Sequence, residues 1–311
     1  MTQDLPGWDW FLRIVERGSL SAAARDLNQT PSALSIALKR LEAQLGARLF
    51  QRSTRKLTLT AEGDIWYRSA RAAQDAINLG LDELAGSRGE LAGPLRIAAS
   101  SDFGRQFVLD WLDAFCRLHP AIVPSVSLSD RVDDLIADSI DLAIRAGHPQ
   151  DGNVIATPLA PHNRRVLVAS PAYWQSHGMP HTPQDLTTHA CLAFSIRDTP
   201  HVSWRFERSG EADGLPDGER NVEHSSVTIR PVRSSNDGAV VSEWARRGWG
   251  IAYKSQLDAA NDLAAGRLLA ALSDWQGEAT PLYLVRSGGR HALPRVLAFR
   301  DFCLARMQAL Q

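Results

Sequence analysis

A predicted helix near the N-terminus carries side chains that could contact a nucleic acid. It is predicted to begin at Thr30–Pro31, because threonine is a favoured N-cap and proline a favoured first helical residue. It is predicted to stop at Gly46, a C-terminal cap signal. Leucines at helical spacing predict its buried side, at positions 34, 38, 41 and 45. Its other faces can meet a partner through Ser32, Ser35, Ile36, Lys39 and Arg40.

A shorter helix must position this one. It is predicted over residues 19–27, with Ser19 as N-cap and three small alanines that let a second backbone come close. Asn28 and Gln29 then break the helix. Two short helices joined by a tight turn form a helix-turn-helix, whose second helix enters the major groove of DNA. A preceding helix over residues 8–17 is predicted to complete the core through an apolar stripe.

A basic segment follows at the distance expected of a DNA-binding wing. Glu42 is the only acid between Lys39 and Lys56, and residues 57–60 alternate as a short strand does. The alternative is a three-helix core with a solvated basic loop, but its place directly after a helix-turn-helix favours phosphate contacts. The predicted DNA-binding set is Gln29, Thr30, Pro31, Ser32, Ser35, Ile36, Lys39, Arg40, Arg52, Thr54, Arg55 and Lys56. Within it, Arg52, Arg55 and Lys56 are assigned to phosphates, and Ser32, Ser35, Ile36 and Lys39 to bases.

Composition limits the classes of protein to consider. A chain of 311 residues, 44% hydrophobic, predicts two or three globular domains. The net charge of −1 excludes a global basic field, so affinity for DNA must come from the local patch. The first residues show no signal peptide, and no apolar run is long enough for a membrane span. Three distant cysteines without metal-ligand spacing fit a reducing cytoplasm, with no metal or cofactor expected.

A long helix predicted over residues 61–87 could join two copies of the chain. Its apolar positions recur at steps of four and three, at Trp66, Ala70, Ala73, Ile77, Gly80 and Leu84. This narrow seam favours a dimer, since two half-sites on DNA require two heads at fixed spacing. The alternative is a connector packed on its own domain.

The remainder of the chain alternates between strand and helix patterns, which predicts an α/β domain with a largely parallel sheet. The predicted strands cover residues 95–99, 123–128, 141–145, 164–169, 192–194, 202–206, 227–232, 248–253 and 281–285. The predicted helices cover 103–118, 132–137, 238–247, 257–265 and 294–307, and another begins at residue 170. Residues 207–223 are polar and glycine-rich, which predicts an exposed loop or hairpin tip.

Many specified positions appear in order over the first sixty residues, among them Phe11, Gly18-Ser19, Ala23-Ala24, Leu41-Glu42, Leu45-Gly46, Leu49-Phe50, Arg52 and Gly63. This order resembles the N-terminal domain of LysR-type transcriptional regulators. The C-terminal part is also similar to that family, through DLAIRAG at 141–147 and RVLVASPAYWQSHGMP at 165–180. The resemblance implies a winged helix-turn-helix (1–59), a linker helix (60–88), a hinge (89–94) and a two-lobed, periplasmic-binding-protein-like effector domain (95–311). Lobe I would hold residues 95–163 and 268–305, and lobe II residues 164–267.

In such a domain a ligand would lie at the carboxyl ends of strands, where helix N-termini favour anions. The resemblance places the effector pocket between the lobes, and the predicted lining is Ser100, Ser101, Ser127, Ser129, Arg145, Phe194, Asn236 and Tyr253. Arg145 could clamp a carboxylate or form an interdomain salt bridge, and each serine could be a simple helix cap. Lys254 departs from the family's usual Leu-Pro at residues 253–254 and adds a cation near the cleft.

There are four alternatives to a DNA-binding regulator with a small-molecule effector: an enzyme, a thiol switch, an exported solute-binding protein and a regulator without an effector. No nucleophile elbow, HExxH, phosphate loop or dinucleotide fingerprint is present, which disfavours an enzyme. A thiol switch is disfavoured because Cys191 stands alone in lobe II, and an exported solute-binding protein would lack the N-terminal head. A regulator without a small-molecule effector is the main alternative. The partners implied are an interrupted pseudo-palindromic operator in double-stranded DNA, a second copy in a dimer or tetramer, a small and partly anionic effector, and RNA polymerase.

Overall fold

The computed structural model describes residues 8–52, 57–86, 90–130, 140–148, 154–196, 199–209, 222–288 and 293–310. The N-terminal head contains α1 (Trp8–Arg17), α2 (Leu20–Asp26) and α3 (Pro31–Leu45), followed by the antiparallel pair β1 (Phe50–Arg52) and β2 (Leu57–Leu59). Its core packs one side of each helix together, including Phe11, Ala23 and Leu38. The predicted helices agree with these bounds to within about one residue because their capping signals are local.

The linker helix α4 (Ala61–Gly86) begins at Thr60, whose Oγ1 accepts a hydrogen bond from the Gly63 N–H at 2.9 Å. Its first half packs on the head: Tyr67 and Ala70 are buried with α1, and the guanidinium of Arg71 pairs with Glu16 at 3.2 Å. Of the predicted seam, Trp66 and Ala70 therefore contact the chain's own head. Ile77 and Leu84 farther along are 49% and 66% exposed.

Lobe I is built on a five-stranded sheet in the order β4-β3-β5-β16-β6. Apolar side chains of one helical face cover the sheet, including Phe103, Trp111 and Phe115. A single helical segment supplies them, formed by α5, a π-helical stretch (Gly104–Val108) and α6. The lobe's elements are β3 (Gly93–Ala99), α5 (Ser101–Phe103), α6 (Leu109–Leu118), β4 (Ile122–Leu128), β5 (Leu142–Ala146) and β6 (Val154–Ala160), and it is completed near the C-terminus by β16 (Leu282–Ser287) and α10 (Pro294–Gln308).

Lobe II contains a sheet in the order β12-β8-β13-β7-β14 and a smaller sheet in the order β11-β10-β15. An aromatic core fills the space between the two sheets, including Trp174, Trp204, Phe206 and Tyr253. The elements are β7 (Arg165–Ala169), α7 (Pro171–His177), a 3-10 turn (Pro183–Thr188), β8 (Cys191–Ile196), β9 (Thr199–Pro200), β10 (Ser203–Ser209), β11 (Val222–Thr228), β12 (Pro231–Ser235), α8 (Gly238–Arg246), β13 (Ile251–Ser255), α9 (Gln256–Ala264), β14 (Leu269–Ala271) and β15 (Gln276–Gly277).

Three sequence predictions need correction. Each main sheet is mixed, since β16 runs antiparallel to β5 and β6, and β7 runs antiparallel to β13 and β14. The single strand predicted over 227–232 is two strands, β11 and β12, because the chain changes sheets near Ile229. The boundary predicted at residue 268 is also wrong. Since β14 and β15 pair inside lobe II, the chain returns to lobe I only after Gly277.

Two predicted elements lie wholly or partly outside the described residues. The helix predicted over 132–137 lies outside the described residues, as does the 210–221 part of the predicted loop. That loop is flanked by β10 and β11, which pair antiparallel with Ser203 opposite Thr228 and Ser209 opposite Val222. No helix of the described ranges combines the length and apolar character that crossing a membrane requires.

Candidate functional site

Helix α3 begins and ends where its sequence predicts. The Thr30 Oγ1 accepts a hydrogen bond from the Ala33 N–H at 3.2 Å, and Pro31 occupies the first turn. Gly46 ends the helix in the left-handed region, at φ 64°, a conformation that glycine adopts without steric cost. The leucine face of α3 is buried in the head, so its orientation is set by the core.

The opposite face of α3 is directed to solvent. Ile36 is 53% exposed, Ser35 is half-buried, and Ser32, Lys39 and Arg40 are exposed. An exposed isoleucine beside two cations is a combination that can contact thymine methyl groups and phosphates together. Gln29, Thr30 and Pro31 are also exposed at the start of the helix. The structure thus brings the predicted helical members of the DNA-binding set onto one surface.

The two strands of the wing pair in register, with Phe50 opposite Leu59 and Arg52 opposite Leu57. Gly63 in α4 permits this ribbon to dock, because a Cβ there would lie 2.0 Å from the Leu49 carbonyl oxygen. Glu42 has a structural role, since its Oε1 accepts the Leu49 N–H at 2.8 Å. Of the predicted DNA-binding residues of the wing, Thr54 and the phosphate-binding Arg55 and Lys56 lie outside the described residues, and for Arg52 only the backbone is described.

A second candidate site is the cleft between the lobes. Ser100 precedes α5 as its N-cap, but its side chain makes no capping hydrogen bond. The buried Ser101 N–H donates to Asp130 Oδ1 at 2.9 Å, and the Arg105 guanidinium donates to the Ser101 Oγ. Asp130 lies two residues after β4 and was not predicted as part of the site.

The same Asp130 carboxylate reaches lobe II. Its Oδ2 accepts a hydrogen bond from the Gly238 N–H at the start of α8, at 2.7 Å. Asp237 caps that helix with its own side chain, accepting from the Ala239 N–H at 2.8 Å. The predicted Asn236 lies exposed one residue before this cap.

A buried ion pair adjoins this carboxylate. Lys254 of β13 donates to the carboxylate of Asp102 in α5, and to the Gly238 carbonyl at 3.0 Å. The Ser242 hydroxyl of α8 also donates to Asp102, at 2.8 Å. Because Asp102 belongs to lobe I and Lys254 to lobe II, the ion pair crosses the cleft.

Asp258, in the first turn of α9, is the third carboxylate near this cluster. Burial raises its pKa to about 7, opposed by the nearby Lys254 ammonium and assisted by the negative charges of Asp102 and Asp130. Asp102 thus pairs directly with the Lys254 ammonium, whereas Asp258 feels its charge without a contact. Such an arrangement favours binding of an extra proton by the folded protein at mildly acidic pH.

The remaining predicted residues of lobe I are distributed along the ends of β4 and β5. Arg145 donates to the Ser129 carbonyl oxygen at 2.9 Å, so this contact stays within lobe I. The Ser129 N–H in turn donates to the Ala99 carbonyl oxygen at 3.0 Å. Ser127 is exposed near the end of β4, an edge strand.

Tyr253 differs from the prediction that it walls the cleft. Its ring packs between Trp204 and Phe206 in the lobe II core, at centroid distances of 5.2 Å from each. Its hydroxyl donates to the Arg205 carbonyl oxygen and accepts the Glu278 N–H, each at 2.6 Å, and burial raises its pKa. Successive side chains of a strand point to opposite faces, so Tyr253 enters the core and Lys254 faces the cleft.

Phe194 of β8, the last predicted member, is half-buried and pairs with Ser235 of β12 at the edge of the main sheet of lobe II. Sequence reasoning missed Asp102, Asp130, Ser242 and Asp258 as members of the cleft. Asp102 and Asp130 both stand within three residues of a predicted strand end, which is the one signal that could have identified them.

The free cysteines do not form a metal or disulfide site. Burial raises the pKa of the Cys191 thiol to about 12, and it also raises the pKa of Cys116 and Cys303. Among the residues that the structure describes, no group of three His, Cys, Asp or Glu side chains is arranged to hold a metal ion.

Comparison with known proteins assigns this architecture to a family. Residues 8–64 match the model described as bacterial regulatory helix-turn-helix protein, lysR family, and residues 88–308 match the LysR substrate binding domain. The probable HTH-type transcriptional regulator LtrA of Klebsiella pneumoniae is 33% identical over 312 residues, covering 98% of this chain and 96% of that protein. The chain belongs to the LysR family of transcriptional regulators, and the enzyme alternative is excluded with it.

Solved structures of full-length regulators have the same fold. CrgA, a LysR-type transcriptional regulator from Neisseria meningitidis, is 28% identical with a TM-score of 0.60, covering 96% of this chain and 97% of that chain. LysG from Corynebacterium glutamicum, solved with bound effector Arg, is similar in fold at a TM-score of 0.58 and 20% identity, covering 99% of each chain. Regulators of this family bind DNA and small-molecule effectors and form oligomers.

Proposed function

We propose that this protein reads an interrupted, pseudo-palindromic operator as a cytoplasmic dimer or tetramer, with α3 in the major groove. The observation that carries the proposal is the solvent-exposed face of α3, where Ile36, Lys39 and Arg40 project from a helix held by its buried leucines. The wing ribbon directly follows α3 and adds its basic residues at the flanking phosphates.

The dimer is supported by the apolar residues of α4 that its own chain leaves exposed. Ile77 and Leu84 are seven residues apart, the spacing at which a second helix could cover both. A dimer would place two heads at the fixed separation that two half-sites require. A dimer of dimers, which would bend DNA, and contact with RNA polymerase extend the proposal by family resemblance.

Control by a small molecule is supported by the placement of the polar groups at the cleft. Ser100 and Ser101 lie at the start of one helical segment, while Asn236 lies at the start of another from the opposite lobe. A ligand with a carboxylate or similar anionic group would suit such helix starts. A regulator without a small-molecule effector is the competing function. It is favoured by Asp130, because the carboxylate of this residue already accepts the Ser101 and Gly238 N–H groups at the two helix starts.

The test of DNA binding is fluorescence anisotropy with a selected operator, using Lys39→Ala, Arg52→Ala and the control Arg117→Ala. Lys39→Ala should weaken specific binding by about 1–3 kcal/mol and relax the preference at one base position. Arg52→Ala should weaken binding to all sequences alike and reduce the salt dependence. Arg117 is exposed on α6 and remote in sequence from the head, so its variant should bind as wild type does. Equal binding by all three variants would contradict the proposal.

Effector control has its own test. Ser101→Ala and Arg145→Ala should abolish the response of the DNA complex to candidate carboxylates while leaving DNA affinity unchanged. Calorimetry and footprinting with a panel of small carboxylic acids measure both properties. Loss of DNA binding by both variants, with intact folds, would contradict the assignment of these residues to a ligand site.

A further inference from the structure

The two lobes are connected across the cleft by charged side chains of the chain itself. Asp130 of lobe I accepts one N–H from each lobe, that of Ser101 at 2.9 Å and that of Gly238 at 2.7 Å. Asp102, also in lobe I, pairs with the buried Lys254 of lobe II. Each connection joins groups that are more than a hundred residues apart in the sequence.

The hydroxyl of Ser242 strengthens this arrangement, because it donates from α8 to the Asp102 carboxylate at 2.8 Å. Asp102 is therefore held by two groups of lobe II, an ammonium and a hydroxyl. Hydrogen bonds to ionised groups are roughly twice as strong as those between neutral groups. Opening the cleft would leave buried charges unpaired until water reached them.

The packing at Gly238 shows how closely the two lobes meet. A Cβ at this residue would lie 3.0 Å from the Lys254 Nζ, 3.3 Å from the Asp130 Oδ2 and 3.5 Å from the Asp102 Oδ2. Asp130, Asp102 and Lys254 thus converge on one backbone position. Any larger residue at position 238 would enter the space that they occupy.

We propose that Asp130, Asp102 and Lys254 form an internal lock that holds the lobes closed without a ligand, so that a signal acting at this cleft works by opening it. The carboxylate of Asp130 supplies the negative charge that helix N-termini favour, and the protein needs no bound anion to satisfy these N–H groups. The regulatory consequence rests on the proposed function, whereas the lock is a property of the effector domain.

The test is hydrogen exchange on the full-length protein, followed by mass spectrometry of peptides that contain the Ser101 and Gly238 amides. In Asp130→Ala both amides lose their acceptor, so their exchange should accelerate by roughly tenfold or more. The matched control is Asp110→Ala, which removes an exposed carboxylate of α6 and should leave both peptides unchanged.

Two further variants keep the proposal testable if Asp130→Ala does not fold. Asp130→Asn keeps the shape and one acceptor oxygen, and should accelerate exchange in at least one of the two peptides. Lys254→Met removes the second connection and should accelerate exchange at Gly238 with Asp130 intact. Wild-type exchange rates in folded Asp130→Asn and Lys254→Met would overturn the lock.

The regulatory consequence is read separately, from operator binding and footprint length. Asp130→Ala or Asp130→Asn should alter the length of the footprint on the operator, although neither substitution changes the DNA-binding head. An unaltered footprint with accelerated exchange would overturn the regulatory consequence and leave the lock established. Absence of DNA binding by wild-type protein would instead count against the proposed function, and the exchange result would stand independently.

Discussion

Lys254 and Asp102 form a buried ion pair that joins β13 of lobe II to α5 of lobe I. Neither residue was expected to contact the other, since 152 positions separate them. Their pairing places a positive and a negative charge in the cleft where the resemblance to LysR-type regulators implies an effector. The stability of this domain and its response to signals are therefore expected to depend on the same residues.

Loss of one partner of the ion pair should be more harmful than loss of both. Lys254→Met leaves the Asp102 carboxylate buried without its ammonium, and should lower the free energy of unfolding by about 3–5 kcal/mol. Adding Asp102→Asn removes the uncompensated charge, so the double variant should recover part of the loss. Urea unfolding of wild type, both single variants and the double variant measures the coupling. Additive losses would show that the two side chains do not interact.

The pKa of Asp258 gives the folded protein a specific dependence on pH. Its folded pKa of about 7 lies above the ordinary aspartate value of about 3.9, so the folded state binds the extra proton between these limits. The stability contributed by this proton is fully present below about pH 4, falls as pH rises and is lost above about pH 7. Burial is the main cause of the raised pKa; among the neighbouring charges, the cations of Lys254 and Arg165 lower it and the carboxylates of Asp102 and Asp130 raise it.

Asp258→Asn should remove this dependence, because an amide cannot titrate. The melting temperature of the variant, measured from pH 4 to 8, should decline less with rising pH than that of wild type. Asp110→Asn, an exposed carboxylate on α6, serves as the control and should follow wild type. Parallel curves for wild type and Asp258→Asn would contradict a raised pKa.

Two glycines of α4 should respond in opposite directions to the same substitution. Gly63→Ala forces a Cβ to within 2.0 Å of the Leu49 carbonyl oxygen, so the wing ribbon must move away from the linker helix. We expect a loss of stability of several kcal/mol and of DNA binding with it. Gly80→Ala meets no atom within 4 Å and should stabilise the helix by up to about 1 kcal/mol. Circular dichroism melts and operator binding test both, and equal effects would contradict the docking described here.

The two buried cysteines, Cys191 and Cys303, should be unreactive in the native protein. Burial raises the pKa of Cys191 to about 12 and also raises that of Cys303, so little thiolate is present near neutral pH. Native protein at pH 8 should therefore react with a disulfide reagent at Cys191 and Cys303 only on unfolding, and peroxide should leave DNA binding unchanged. Rapid modification of Cys191 in the folded state would revive a thiol switch.

The sequence was most informative where the signals are local. The caps of α3 at Thr30 and Gly46 and the cap of α4 at Thr60 depend on neighbouring residues, and the structure confirms them. The second crossover between the lobes could not be found this way, because β14 and β15 are defined by partners about seventy to one hundred residues away. Such long-range pairing leaves no pattern within a short segment.

The cleft shows the same limit at the level of single side chains. The alternation of a strand predicts that Tyr253 and Lys254 face opposite sides, but it does not predict which of them enters the core. In the structure the Tyr253 side chain packs in the core of lobe II, and the Lys254 side chain lies in the cleft. Asp130 was missed because its role depends on Gly238, in the opposite lobe.

DNA reading by α3 is tested best by a binding-site selection from a random duplex library with the full-length protein. We expect enrichment of an interrupted dyad, and we expect Lys39→Ala to change the base preference within each half-site. The same selection with Arg117→Ala should return the wild-type dyad. A folded protein that enriches no sequence at low salt, or an unchanged motif with Lys39→Ala, would contradict DNA reading by α3.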